Sequence, residues 1–520
     1  MKNLIFFLSI ILSFSTVYGQ KDIHTDTVKT HTDSLMKKIC EGQDKKCELI
    51  NKLVNSPNRF TPTDMNNLFK MGLSDFEVKT ITKYVFEKNG FVFPNHSDAE
   101  ENILGSLNKS SNAAKMRKYH RRIKNGVKDK GWKVIFVEGD SWYEYPWFIR
   151  EITDQLNKRR NKFAIYSIAY GGDWLSNMLY NMTFLNDLPK VSPDVYLLSG
   201  GGNDMVGSFQ IANFVCDSAI NEILQDTEFI KKYDSQVIYR IIGDPPPEIK
   251  KDTVLPAIRK TKKIYAEQMA RQMSFMNIYE TDIESLLQNI MLPDSINNIS
   301  KDAEILLRES LRNLEITINK LDKNTKGLAE KIILGRKYLN EKFDVYLRLL
   351  RLEYLFMLNV IDNQQNIKNT KGKEVQIIVQ GYDYPIPSYK KGLFYYGFRP
   401  IRCITNILMH NGYWIKHPMM MKGITDKYIQ ECIVAAMIFA HNNMLEELTK
   451  DCEELYYIDC RRTVEYLQKR RGKMRYNWYN ELHPSSFVFN KIAKVFNLCI
   501  KDYDKGKTDK KIYKVIDYID

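Results

Sequence analysis

Four short stretches of this chain hold residue types that together could attack an ester: Gly139-Asp140-Ser141-Trp142, Gly171-Gly172-Asp173, Gly201-Gly202-Asn203-Asp204 and Asn480-Glu481-Leu482-His483-Pro484. A serine hydroxyl is a poor nucleophile until a base within hydrogen-bond reach takes its proton, and histidine suits that work near neutral pH. Attack on an ester carbonyl then puts negative charge on oxygen, which backbone N–H groups and a side-chain amide can receive if they already point there. A glycine, with no Cβ, lets its backbone approach the substrate closely. Singly, each stretch is also ordinary turn chemistry: Ser141 as a helix N-cap, Gly171 or Gly172 as a turn, Asn203 bonded to its own backbone. Of the eight histidines, His483 stands out by preceding Pro484, which favours extended backbone, and by the helix expected from about Ser486. His410, His417 and His441 read better as structural or surface residues.

The elements that must position these loops are legible as short apolar runs alternating with amphipathic segments. The runs are Lys133–Glu138, Phe163–Ala169, Asp194–Ser199, Val375–Gln380 and Leu455–Asp459. Near-continuous apolarity over so few residues marks a parallel strand covered on both faces. The expected fold is therefore α/β, a doubly wound (flavodoxin-like) parallel sheet of about five strands flanked by helices. In such sheets ligands bind beyond the carboxyl ends of the strands, where three of the four stretches lie.

In this order and at these strand ends, the four stretches resemble the SGNH (GDSL-type) hydrolase family, whose blocks are named for a serine, a glycine, an asparagine and a histidine. The resemblance implies ester hydrolysis through an acyl-serine. Ser141 would be the nucleophile, His483 the general base, and the backbone N–H groups of Ser141 and Gly172 with the Asn203 amide the oxyanion hole. One position departs from the family, which commonly carries an aspartate three residues before the histidine; here that residue is Asn480. In a serine triad an Asp-to-Asn change costs about 10⁴ in turnover by holding the wrong tautomer. Two arrangements follow: a Ser141/His483 dyad supported by the Asn480 carbonyl, or a substitute acid, Glu481 or Asp383. Gly381-Tyr382-Asp383-Tyr384-Pro385 follows the fourth run, and Trp142, Tyr143, Tyr145 and Trp147 flank the serine. Trp142, Tyr382 and Tyr384 are thus expected to line an aromatic mouth for a sugar ring or acyl chain, or else to be core and rim.

Outside the hydrolase-like segments, 132–204 and 373–500, the chain divides into further parts. Residues 1–19 have a positive start at Lys2, an apolar run from Leu4 to Phe14 and small residues before Gln20, the pattern of a cleaved signal peptide. Export to the periplasm or beyond is expected, with no lipid-anchor cysteine after the cut and no later apolar stretch long enough to span a membrane. Residues 20–93 read as a small helical unit, with a capping box at Ser74–Glu77; 94–131 as a polar basic linker; 205–372 as a helical insertion; 501–520 as a charged tail.

Composition narrows the function classes. Of 520 residues, 77 are Lys or Arg and 63 Asp or Glu, a net charge of +14, and 44% are hydrophobic, which excludes global disorder. The basic runs around Lys115–Lys133 and Lys469–Arg475 accompany no nucleic-acid module, so nucleic acid is not an expected partner. Eight cysteines are too sparse for a disulfide scaffold; Cys40 with Cys47 and Cys452 with Cys460 are candidate bridges or buried thiols. No CxxC, HExxH, P-loop or complete dinucleotide fingerprint appears, so no metal or cofactor is expected. The leading expectation is a secreted serine esterase acting on a glycan O-acetyl, short-chain acyl or lipid ester. Its alternative is a catalytically weak or inactive cell-surface binding protein of the same fold. A metal phosphoesterase built on Asp140, Asp173 and Asp204 lacks nearby histidine ligands.

Overall fold

The computed structural model describes residues 36, 38–40, 44–55, 60–88, 103–145, 149–206, 211–215, 323–336, 338–339, 341–363, 375–387, 414–421, 424, 426–453, 455–471 and 477–519. The candidate leader, Trp147, Cys216, Cys403, His410 and most of the 205–372 insertion lie outside them. In chain order the principal elements are α1 (Asp44–Asn55), α2 (Pro62–Lys70), α3 (Asp75–Lys88), α4 (Ile103–Lys124), β1 (Lys133–Glu138), α5 (Ile152–Leu156), β2 (Phe163–Ser167), α6 (Leu175–Asn181), α7 (Phe184–Val191), β3 (Val195–Leu198), α8 (Gly202–Val206), α9 (Lys323–Arg336), α10 (Glu341–Asn363), β4 (Gln376–Gln380), α11 (Lys427–Asp451), β5 (Leu455–Asp459), α12 (Thr463–Arg471), α13 (Ser486–Asp504) and β6 (Ile512–Lys514).

The strands form one all-parallel sheet in the order β2-β1-β3-β4-β5-β6. Ile135 of β1 sits in register with Ile165 of β2 on one side and Val195 of β3 on the other. Every residue of β3, β4 and β5 is buried, as the unbroken apolar runs require of strands covered on both faces. Chain direction across the sheet reverses after β2, so the crevice between the carboxyl ends of β1 and β3 is the topological switch point. Six strands replace the expected five because the tail is not only charged: Tyr513 and Val515 are fully buried beside β5, and three residues among lysines are too few to show a strand period.

Residues 103–124, expected as linker, are a helix packed on β2. Its inward stripe is Asn108, Ser111, Lys115, Tyr119 and Arg122, at helical spacing but polar, so apolar periodicity could not reveal it. The two charged heads find partners. Lys115 donates to the Glu144 and Glu151 carboxylates and to the Tyr143 carbonyl (3.2 Å), while Arg122 donates to Asn157 Oδ1 (2.6 Å) and to the Phe163 carbonyl. Burial opposes the Lys115 charge, but Glu151 and Glu144 outweigh it and hold the ammonium pKa above its ordinary value.

The N-terminal helices and α10 make a common layer. Phe69 meets Phe356 and Phe86 meets Tyr346 edge to face, with ring centroids 6.2 and 6.1 Å apart. The Ser74–Glu77 capping box forms, and the described part of the insertion is helical. The six described cysteines carry no disulfide; burial, then the hydrogen bond with Cys47, raises the Cys40 thiol to about 12.

Candidate active site

The histidine loop organises itself. Residues 477–485 fold back so that Tyr479 N donates to the His483 carbonyl (2.8 Å) and Ser485 N to the Asn477 carbonyl (2.8 Å). Asn480 Oδ1 accepts the backbone N–H groups of Leu482 (2.9 Å) and His483 (2.8 Å). Two N–H donors on one atom identify it as oxygen, so the flip of this amide is decided by the backbone. The same oxygen lies 2.8 Å from His483 Nδ1, which must therefore carry the ring proton, leaving Nε2 as an acceptor. Ser141 Oγ is 2.6 Å from Nε2 and donates to it. The tautomer a serine nucleophile needs is set by an asparagine side chain, not by the backbone carbonyl expected for a dyad.

His483 is buried under Tyr145, its ring centroid 4.4 Å away, and near Trp414 at 6.1 Å. With no carboxylate hydrogen-bonded to it among the described residues, burial pushes the imidazole down to about 3, so it is neutral near pH 7. The ring is a hydrogen-bond acceptor over most of the accessible pH range.

Ser141 sits on the turn after β1, at the switch point. Asp140 is buried and accepts from the Trp142 N–H (3.0 Å), the Ser199 hydroxyl and the Tyr382 hydroxyl, tying β1, β3 and β4 together behind Ser141. Asn203, at the start of α8, donates one amide N–H to the Asp173 carbonyl (3.0 Å); Asp204 accepts the Leu175 and Gly201 N–H groups at 3.0 and 2.9 Å. These bonds bolt the loops after β2 and β3 together. Gly201 stands at φ +88°, and a Cβ there would meet the His441 ring at 2.4 Å, so only glycine passes. His441 is buried beneath it as a structural residue, its pKa pushed down to about 3 by burial. Among the described residues, the N–H groups of Ser141 and Gly172 donate to no protein acceptor.

No model of a known family, no curated protein and no solved structure matches this chain.

Several expected site residues are committed elsewhere. The Glu481 carboxylate accepts the Ile415 N–H at 3.0 Å. That of Asp383 accepts the N–H groups of Arg462 (2.7 Å) and Val464 (2.6 Å) around the start of α12, and that of its neighbour Tyr384 (2.8 Å). Neither is hydrogen-bonded to His483, because backbone donors near each take the carboxylate first. Trp142 and Tyr382 pack on each other at 5.1 Å and are buried; the indole donates to the Leu482 carbonyl (3.2 Å), so Trp142 fastens the serine loop to the histidine loop and does not line a mouth. Tyr384 is half-buried, its phenol beside Arg461 and Asp459 at the end of β5. Asp173 accepts from Trp174 N and Asn177, and with Asp140 and Asp204 faces protein donors. Among the described residues no group of three His, Cys, Asp or Glu side chains stands ready to hold a metal ion. Sequence reasoning missed two contributors, Asn108 and Lys115 on α4, since a polar helical stripe resembles a solvated linker.

Proposed function

We propose that the protein is a serine esterase of SGNH type, exported, and acting on a carboxylic ester such as a glycan O-acetyl, a short-chain acyl or a lipid ester. The single observation that carries the reading is the relay of Ser141 Oγ to His483 Nε2 at 2.6 Å, with Nδ1 held at 2.8 Å by an asparagine oxygen whose identity the backbone dictates. Nε2 takes the Ser141 proton as Oγ attacks the acyl carbon, and the new oxyanion is received by the N–H groups of Ser141 and Gly172 and the second N–H of Asn203. His483 then returns the proton to the departing alcohol oxygen. In deacylation it takes a proton from water, which attacks the acyl-serine, and gives that proton to Ser141 Oγ as the acid leaves. Asn480 orients the ring without neutralising an imidazolium, so the machinery is a dyad with a neutral orienter.

The test is hydrolysis of p-nitrophenyl esters of increasing chain length by residues 20–520, with Ser141→Ala alongside and a fluorophosphonate as covalent probe. Hydrolysis and labelling that both fall at least about 10⁴-fold in the variant are expected. A wild type that neither hydrolyses nor labels would leave a binding protein of this fold as the better account.

A further inference from the structure

We infer that Asn108, on a helix outside the hydrolase-like segments, is a positioning residue for the oxyanion hole: its side-chain amide fixes the plane of the Gly171–Gly172 peptide and thereby aims the Gly172 N–H. The inference rests on the esterase reading above for its catalytic consequence, but its structural content stands separately.

Asn108 is completely buried. Its Nδ2 donates to the Gly171 carbonyl at 3.3 Å, and its Oδ1 accepts the Gly171 N–H at 3.2 Å. This reciprocal pair leaves no freedom in the amide flip, because one residue offers it both an acceptor and a donor. It also settles which glycine can serve the oxyanion: the Gly171 N–H is taken, whereas that of Gly172 has no protein acceptor among the described residues.

The Gly171 carbonyl belongs to the same peptide unit as the Gly172 N–H. In a trans peptide the two point in opposite directions, and the described residues contain no cis bond. Holding the carbonyl toward α4 therefore holds the N–H away from it. That hold is needed because the unit lies between two glycines, with Gly172 at φ +95°, where no Cβ resists rotation of the peptide plane. A rotated plane would present a carbonyl where an anion needs a donor, turning stabilisation into repulsion. Asn112, one turn further along α4, donates to the Ala169 carbonyl at 2.7 Å and docks the same helix on the same loop without touching this peptide. It is the natural control, since both asparagines lie at i, i+4 on one helix face.

The experiment compares Asn108→Ala with Asn112→Ala in the full chain, using kcat and KM on p-nitrophenyl acetate, thermal unfolding, and amide exchange of ¹⁵N-glycine-labelled protein. For Asn108→Ala, kcat is expected to fall about 10- to 100-fold, less than complete loss of a donor, with KM nearly unchanged and the Gly172 amide shifted and exchanging faster. Asn112→Ala is expected to lower the melting temperature by a similar amount but to retain wild-type kcat. Equal kcat losses in the two variants would reduce Asn108 to a general prop for the helix and overturn the inference, as would an unchanged Gly172 amide in Asn108→Ala. If the wild type proves inactive, the esterase reading fails on that result alone, and the Gly172 amide still decides whether Asn108 sets the peptide.

Discussion

On the esterase reading the histidine loop and the glycine loop would serve two halves of one reaction, and they are built in opposite ways. Within residues 477–485 the Asn480 side chain orients His483 by gathering three N–H groups inside four residues, while Trp142 and Ile415 tie the loop to its neighbours. In residues 169–173, by contrast, the Gly171–Gly172 peptide is held from α4, about sixty residues earlier in the chain, through Asn108, while Asn112 docks the helix at the Ala169 carbonyl. Proton transfer needs one ring nitrogen set against one hydroxyl, a geometry that a compact loop can impose. An oxyanion hole needs donors from three strand ends converging on a point, and loops rich in glycine cannot hold their own peptide planes there. The difference locates sensitivity: the tautomer of His483 is fixed within its own loop, whereas the plane of the Gly171–Gly172 peptide depends on the docking of α4.

Lys115→Met should separate the two halves most forcefully. It strands the Glu144 and Glu151 carboxylates in a buried site, and removing one partner of such a group costs about 3 to 5 kcal/mol, measured by denaturant unfolding. Should the contrast hold, the Gly172 amide becomes labile in this variant while the His483 ring protons keep their chemical shifts; equal disturbance of both loops would erase it. Next in size, Asn203→Ala removes the proposed oxyanion donor and should lower kcat about 10²- to 10³-fold with His483 untouched, read as an unchanged acid limb in the pH profile. An Asn203→Ala enzyme of wild-type rate would place the oxyanion elsewhere.

The finest test concerns the neutral orienter. Because burial holds His483 near 3, protonation silences the base only well below the ordinary histidine value of about 6.5, and kcat/KM should stay flat as pH falls through 6 and 5. Asn480→Asp keeps the three N–H contacts and adds a charge that favours imidazolium, so the acid limb should move up by about 1 to 3 pH units. Glu481→Gln, whose carboxylate faces Ile415 N, should leave that limb in place. A limb that moves with Glu481 and not with Asn480 would reverse their roles.

Much of the fold and the loop chemistry was legible from residue types. Apolar runs such as Tyr196-Leu197-Leu198 announce buried parallel strands because nothing else so short is so uniformly apolar, and Ser141, Gly172 and Asn203 follow at the ends where ligands bind. The role of α4 was not legible, since a buried stripe of Asn, Ser, Lys and Arg has the composition of a solvated surface; only its partners, Glu144, Glu151, Asn157 and Gly171, make it interior. Nor could spacing place the carboxylates: Glu481 and Asp383 were candidates for His483 until backbone donors near each were in view. Local order along the chain thus determined which residues can react and near which strand ends they lie, because side-chain alternation and turn preference act over a few residues. The pairing of His483 Nε2 with Ser141 Oγ and the plane of the Gly171–Gly172 peptide were decided by tertiary structure, because each depends on which donor or acceptor the fold brings within 3.3 Å.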